Sequence, residues 1–274
     1  LAHASLCTDH PGWTDTESGR PYRMLSNERG STWMASWDGH ALDFMPMTGN
    51  GSLPDLTYTH RHRLPQAAPR QLTNALSTLG TLIRISNPSL WDALCAAILR
   101  QGQSAPHAGR QLYRRLCTLY GPALESPLGT LHLAPTPKML LSLPDHAFHK
   151  AKAAVAQASL RSAAHAYLTH ADSWKQLKGR KLVTALRSIH RIGTWTAAAA
   201  AADYRGDFTL YPLHDFTLRS CAHNAAPDAG LPVEEEPFAR QWTAWATTPG
   251  QLRTLTLATL AFGSHAPAST TLAQ

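Results

Sequence analysis

The residues whose types and spacing could do chemistry lie in one run, LRSIHRIGTWTAAAAAADYRGDFTLYPLHDFTLR, from Leu186 to Arg219. Leu182, Val183, Leu186 and Ile189 fall at helical spacing and predict a helix with one buried face. Ile192 and Gly193 then turn the chain. Thr194 to Ala202 restart it as an alanine-dominated helix, alanine being the strongest intrinsic helix former. A hairpin this tight leaves backbone N–H groups unpaired and aimed outward at the start of its second helix. That is an anion site, and a DNA phosphate fits it. Asp215 follows 22 residues after Gly193, directly before a further helix at 216–222. An aspartate so placed reads first as an N-cap, its carboxylate taking up an orphan N–H of the helix.

These groups need a scaffold, and the chain supplies two textures. Residues 1 to about 66 are rich in Gly, Thr, Trp and Met, with frequent turn signals such as Trp37-Asp38-Gly39-His40. The runs from Thr32 to Trp37 and from Ala41 to Met45 alternate around an Asp-Gly turn, which predicts a small antiparallel sheet that braces the rest. His60-Arg61-His62-Arg63 is expected to be a solvated charge run before Pro65 and Pro69. From residue 70 the chain reads as helical. Asn87-Pro88 is an N-cap followed by proline at the first helical position, and Ser104 caps the next helix, whose buried face is Leu112, Tyr113, Leu116 and Leu119. Thr136-Pro137 starts a short helix, Lys150 to Leu168 a long one, and Pro237 and Pro249 two closing ones. The expected fold is mainly α, of the α+β class. Residues 1–68 make the N-terminal antiparallel β domain, 69–264 the helical body and 265–274 a C-terminal tail.

Composition narrows the function classes. In 274 residues Lys and Arg outnumber Asp and Glu by 25 to 18, giving a formal charge of +7, which favours an anionic partner such as nucleic acid. The four cysteines, Cys7, Cys95, Cys117 and Cys221, are far apart and form no C-x-x-C, so zinc and disulfide frameworks are not expected. No apolar run approaches the ~20 residues of a membrane span, and the N-terminal segment has no signal-peptide pattern. An intracellular, cytoplasmic setting, with no membrane partner, is expected.

Two motifs carry a family resemblance. Ile192-Gly193-Thr194-Trp195-Thr196-Ala197 resembles the I-G-x-W-T-A core of the helix-hairpin-helix (HhH-GPD) DNA glycosylases, in the branch that includes 3-methyladenine DNA glycosylase II. Asp207, Pro212, Asp215 and Arg219 match the D-x-x-x-x-P-x-x-D-x-x-x-R stretch that follows in that family. The segment from Ile98 to Ser104, with Arg100, Gln101, Gly102 and Gln103, resembles the family's I-L-G-Q-x-x-S loop, and Trp242-Thr243-Ala244-Trp245 its W-x-P-W-R-S turn. The likeness covers residues ~85–262. Three departures stand out: Arg191 replaces the hairpin's first glycine, Gly102 occupies the place of the side chain that fills the gap left by a flipped nucleotide, and Ala244 and Ala246 replace Pro and Arg.

The resemblance implies a monofunctional glycosylase of base excision repair, hydrolysing the N-glycosidic bond of N3- or N7-alkylated purines, bulky adducts included. Asp215 is then the catalytic carboxylate, stabilising positive charge that builds on the deoxyribose as the base leaves. Trp195 stands where lyase-type members carry a Lys nucleophile, so no imine chemistry is expected. Trp195 and Phe216, joined by Tyr211 and Trp242, would border a pocket holding a cationic base by cation–π attraction, although Trp242 and Trp245 on their own sequence read as core packing. The amides of Ile192, Gly193 and Thr194, with Arg191 as charge, and the loop residues Arg100, Gln101, Gly102 and Gln103, would hold double-stranded DNA carrying the damaged base; Lys181 and Arg187 are lesser auxiliaries. No cofactor is required, no side-chain metal site is expected, and a monovalent or divalent ion at the hairpin is the one addition the family leaves room for. A monomer is expected. The alternative is a hairpin protein that recognises damaged DNA without releasing a base.

Overall fold

The computed structural model describes residues 3–103 and 106–265. Ser104 and the tail beyond His265 lie outside the described residues. The strands are β1 (Ala4–Leu6), β2 (Thr14–Asp15), β3 (Pro21–Ser26), β4 (Thr32–Trp37), β5 (Leu42–Thr48), β6 (Leu56–His60), β7 (Thr81–Ile85), β8 (Ala123–Ser126) and β9 (Gly129–His132). The helices are α1 (Arg70–Ser77), α2 (Leu90–Arg100), α3 (Pro106–Tyr120), α4 (Pro137–Ser142), α5 (Asp145–Lys150), α6 (Gln157–Gln176), α7 (Gly179–Arg187), α8 (Thr194–Arg205), α9 (Phe216–Ala225), α10 (Glu235–Trp245) and α11 (Pro249–His265). The protein is thus mainly helical with small sheets, as its sequence predicts. No helix among the described residues is long and apolar enough to cross a membrane.

The chain passes more than once between two compact units. One gathers residues 3–9, 58–84 and 213–265. Its sheet has the order β1-β7-β6, with β1 parallel to β7 in the register Ala4↔Thr81 and Leu6↔Ile83. The strand at Thr81–Ile85, like the hairpin β8–β9, corrects the expectation that the chain is helical from residue 70. Buried Arg84 on β7 is held by Asp9 through two bonds of 3.0 Å, so its charge is paired as burial demands. Helices α9 and α11 pack closely enough that a Cβ on Gly263 would lie 2.1 Å from the Cys221 sulfur. Arg61–Arg63 forms an exposed 3-10 turn, in keeping with a solvated charge run.

The other unit holds residues 10–57, 85–103 and 106–212. Its antiparallel sheet, ordered β2-β3-β4-β5, includes both strands expected around the Asp-Gly turn. The sheet is tied to α2 through charge. Glu28, in the turn between β3 and β4, accepts from the Leu90 backbone N–H at 2.8 Å at the start of α2. Buried Arg23 on β3 reaches Asp92 at 2.9 Å. Asn87 donates to Asp92 at 2.9 Å and to Asp203 of α8 at 2.8 Å, and Tyr113 of α3 also donates to Asp92. Burial, then the Asp92 charge, pushes the Tyr113 phenol well above its ordinary pKa, so it stays a donor. His10 accepts the Gly12 N–H on Nδ1 at 3.0 Å, which leaves its Nε2 to carry the proton 3.4 Å from Asp92 and 3.7 Å from Asp203. This network fixes α2 against α8, and the small side chains Ala93, Ala96 and Ala97 on α2 and the alanines at 197–202 on α8 are buried with it.

Three local expectations are corrected here. Ser89, not Asn87, caps α2, accepting from the Asp92 N–H at 3.2 Å; Asn87 is drawn into the buried network instead. Leu119 is exposed, and Cys117, two residues earlier, joins Tyr113 and Leu116 on the buried face of α3 instead. The helix expected from Lys150 to Leu168 is broken. Helix α5 ends in a Schellman turn, with Lys152 at φ 58° and bonds Lys152 N–H to His149 C=O and Ala153 N–H to Phe148 C=O, before a 3-10 turn at Ala154–Ala156 leads into α6. Thr136 caps α4 as expected.

Candidate functional site

The hairpin joins α7 to α8. Leu182 and Leu186 are fully buried and Ile189 and Ile192 nearly so, which anchors both arms of the turn. Between those two isoleucines the chain reverses through Arg191, exposed and at φ 69°. A non-glycine residue in this left-handed region carries a strain of about 1–2 kcal/mol. Gly193 is the N-cap of α8 at φ −80°, ψ 175°, and supplies no capping side chain. A Cβ built there meets nothing within 4 Å. Neither conformation nor internal packing therefore demands glycine at 193. What glycine does is keep the start of α8 open at exposed Gly193 and Thr194, where a group from outside can approach the first-turn amides.

The segment after α2 meets the start of α8 from the other side. Arg100 donates to the Tyr211 hydroxyl at 3.1 Å, and its guanidinium lies 5.7 Å from the centre of the Trp195 ring. Tyr211 stacks on buried Phe208, with ring centres 5.5 Å apart and planes 12° from parallel. Gln101 accepts the Thr196 hydroxyl at 2.9 Å. The first two polar side chains of the segment are thus committed to holding the loop. Gly102 then takes φ +70° with open space around it, and Gln103 is half-exposed.

Asp215 belongs to the unit that contains α9. It caps that helix, its Oδ1 accepting the Leu218 N–H at 2.7 Å, and is 4% exposed. Arg219, one turn on, donates to the His214 carbonyl at 3.0 Å and to Glu235 at 3.2 Å, pinning the backbone before Asp215. Burial first, and then the Asp215 charge, pushes the Cys221 thiol up to about 11, so the thiol is inert near neutral pH. All four cysteines are buried and free.

No known protein-family profile matches this sequence, and no curated protein does. Solved structures do. The chain is similar to MBOgg1 in complex with a low-affinity DNA ligand, at TM-score 0.71 and 13% identity over 96% of this chain and 93% of that one. A second is 3-methyladenine DNA-glycosylase from Archaeoglobus fulgidus, at 0.66 and 15%, over 92% and 90%. A third is the apo 8-oxoguanine glycosylase/lyase from Clostridium acetobutylicum, at 0.65 and 11%, over 92% and 89%. The chain has the helix-hairpin-helix glycosylase fold.

On this fold the residues singled out from the sequence separate into three groups. Arg100, Gln101, Trp195 and Tyr211 come together in one unit, with the hairpin amides at the same end of α8. Phe208 joins them and escaped the sequence reading; its spacing of three from Tyr211 was the available signal. Asp215 and Phe216 start α9, and Phe216 is 56% exposed. Trp242, by contrast, is a core residue of its unit at 0% exposure, stacked 4.9 Å from Phe238 with Trp245 at 5.8 Å, its indole N–H donating to Thr256 at 3.2 Å. It offers no face to a ligand, which agrees with the packing role its apolar neighbours suggest and removes it from the pocket candidates. Among the described residues no group of three His, Cys, Asp or Glu side chains could hold a metal. The turn 188–193 has no acidic side chain, so an ion at the hairpin would rest on main-chain carbonyls, the oxygen donors a hard cation takes.

Proposed function

We propose that this protein is a monofunctional DNA glycosylase that releases alkylated purines from duplex DNA. The observation that carries the reading is Asp215: a carboxylate buried to 4% exposure and aimed by its cap bond to Leu218, on a fold shared with DNA glycosylases. Breaking an N-glycosidic bond leaves positive charge on the sugar, and a fixed carboxylate in a dry site stabilises that charge without reorganising. The hairpin amides and Arg191 take a phosphate, the groups that set register on the duplex without reading sequence. Trp195 in place of a Lys nucleophile leaves water as the acceptor of the sugar. An alkylated purine suits this chemistry because its ring is already cationic and leaves with little protonation. Excision intracellularly, from double-stranded DNA and by a single copy of the chain, belongs to the same proposal.

Arg100 favours a second reading of the base alone. Its guanidinium already lies beside Trp195 and Tyr211, and a cationic base at those rings would meet a like charge. A neutral purine lesion with carbonyl acceptors would instead gain a donor. Single-turnover base release from duplexes carrying N7-methylguanine, 1,N6-ethenoadenine, hypoxanthine and 8-oxoguanine separates the two. Release of N7-methylguanine alone supports the alkylpurine reading, and release of the neutral bases alone the second. Release of none by the parent, with the duplexes bound, refutes the glycosylase reading in favour of recognition without turnover.

A further inference from the structure

The rings of Trp195 and Tyr211 have a charged neighbour, and the fold is shaped to keep it there. Arg100 ends α2 where the loop it resembles has glycine. Its side chain is located at three points. A Cβ built on Gly109, a buried residue near the start of α3, would lie 2.9 Å from the Arg100 Cγ and 3.4 Å from its Cβ. The side chain that Gly109 lacks is thus the room in which the arginine stem runs. Glycine inside a helix is otherwise unfavourable. Beyond the stem, the guanidinium lies 5.7 Å from the centre of the Trp195 ring, within the range at which a cation is drawn to an aromatic face. Its Nη2 donates to the Tyr211 hydroxyl at 3.1 Å, and Tyr211 is itself buried and stacked on Phe208. A planar cation therefore rests on the aromatic surface that would attract a cationic base, held by groups of its own compact unit.

We infer that Arg100 is a specificity-determining residue, a resident cation that holds this aromatic site against positively charged bases. The inference rests on the reading of Trp195 and Tyr211 as walls of the base pocket of a DNA glycosylase. A cationic purine has to displace the guanidinium from Trp195 or lie beside a like charge, and either course takes back the cation–π attraction that would favour it. A neutral purine meets no such conflict, and one with carbonyl oxygens gains a charged donor. Arg100 thus sets the ratio in which cationic and neutral bases are accepted, whichever class is released faster in absolute terms.

The test uses the full chain and two 20-base-pair duplexes that differ in one charge. One carries 7-methylguanine, which is cationic, and the other 7-methyl-7-deazaguanine, its neutral isostere, each on a 2′-fluoroarabinose sugar that resists cleavage. Fluorescence anisotropy gives the two affinities and their ratio. Arg100→Met keeps an unbranched stem beside Gly109 and removes the charge, so it should move the ratio about tenfold toward the cationic base, the size of one desolvated cation–π contact. Arg100→Lys keeps the charge and should stay within about twofold of the parental ratio. Loss of a phosphate contact would weaken both duplexes alike and cancel in the ratio. A parental ratio in Arg100→Met overturns the inference, and so does a shift in Arg100→Lys as large as that in Arg100→Met. Single-turnover base release by the parent from cleavable duplexes is measured beside it. A parent that releases no base, with the ratio moved by Arg100→Met alone, refutes glycosylase activity and supports the inference. A parent that releases base while Arg100→Met keeps the parental ratio refutes the inference alone, and neither release nor a shift overturns both.

Discussion

Gly193→Asp should make the protein more stable and a poorer DNA binder, and the opposite signs are the point of the experiment. Position 193 is the N-cap of α8, its φ −80° and ψ 175° are open to any residue, and an added Cβ meets nothing within 4 Å. An aspartate can therefore enter without strain and turn its carboxylate onto the first-turn amides. Replacing glycine by a good cap gains a few tenths of a kcal/mol, the helix dipole about another 0.3–1, and the less flexible unfolded chain about 0.4–1. A net gain of about 1 kcal/mol is expected, which for a domain of this size raises the melting temperature by about 2–4 °C. The same carboxylate occupies the amides proposed to hold a phosphate, and it adds a negative charge facing DNA. Duplex affinity should fall, and the slope of log K against log salt should flatten by about 0.9. Anisotropy of a fluorescein-labelled 20-mer between 50 and 200 mM salt measures both, and circular dichroism the melting temperature. Gly193→Asn keeps the cap without the charge and separates occlusion from repulsion. If Gly193→Asp is more stable and still binds with parental affinity and slope, the amides of this hairpin do not hold DNA.

The remaining predictions concern the other proposed groups. Asp215→Asn should abolish base release while leaving duplex binding within a few-fold, because asparagine caps about as well as aspartate; undiminished release in a single-turnover assay refutes a catalytic Asp215. Arg191→Gly should relieve the strain at φ 69°, for a net gain of about 0.5–1 kcal/mol after the added freedom of the unfolded chain, and flatten the salt slope by about 0.9 if the guanidinium meets a phosphate; loss of stability in a urea titration refutes the strain. Borohydride should trap no covalent complex with abasic DNA, since Trp195 replaces the Lys that would form an imine, and a trapped band on a denaturing gel would place another lysine at the sugar.

The parts of the fold that were legible in the sequence are those set by local spacing. Leu182 and Leu186 foretell α7, the alanine run foretells α8, and Thr136 and Gly121 bound their helices because caps and stops act within one turn. What escaped was set at a distance. The strand Thr81–Ile85 is five residues long, too short for periodicity to distinguish it from helix, and one of its two partners, β1, lies some 75 residues earlier. Asn87 has the chemistry of a cap, yet it is taken by Asp92 and Asp203, and Ser89 caps in its place. The break at Lys152 has no glycine or proline to announce it; an alanine-rich stretch with good helix propensity is bent by a Schellman turn that a lysine closes. At the candidate site the motif residues were readable, but not that Arg100 would lie beside Trp195, since that contact joins residues 95 apart in the chain.

Lys152 and Arg191 share a property that bears on how DNA would be held. They are the two non-glycine residues with positive φ among the described residues, at 58° and 69°, and both are exposed cations in the same compact unit. Glycine would take either conformation without the cost of about 1–2 kcal/mol, so the fold tolerates strain at two places where the side chain it gains is a positive charge. Neither position is buried, and packing does not account for the choice. Both adjoin residues already proposed to hold DNA: Arg191 borders the uncapped amides of α8, and Lys152 lines a concavity with Gln101, Gly102 and Gln103. The turn bonds around each position sustain that strain in the free protein, and an anion bound by the cation would offset it further; a duplex offers one at each phosphate. If that is the reason for it, relieving the strain should stabilise the free protein at both sites while weakening the complex at both, and Lys152→Gly and Arg191→Gly should each flatten the salt slope, with additive effects if each cation meets a phosphate of its own.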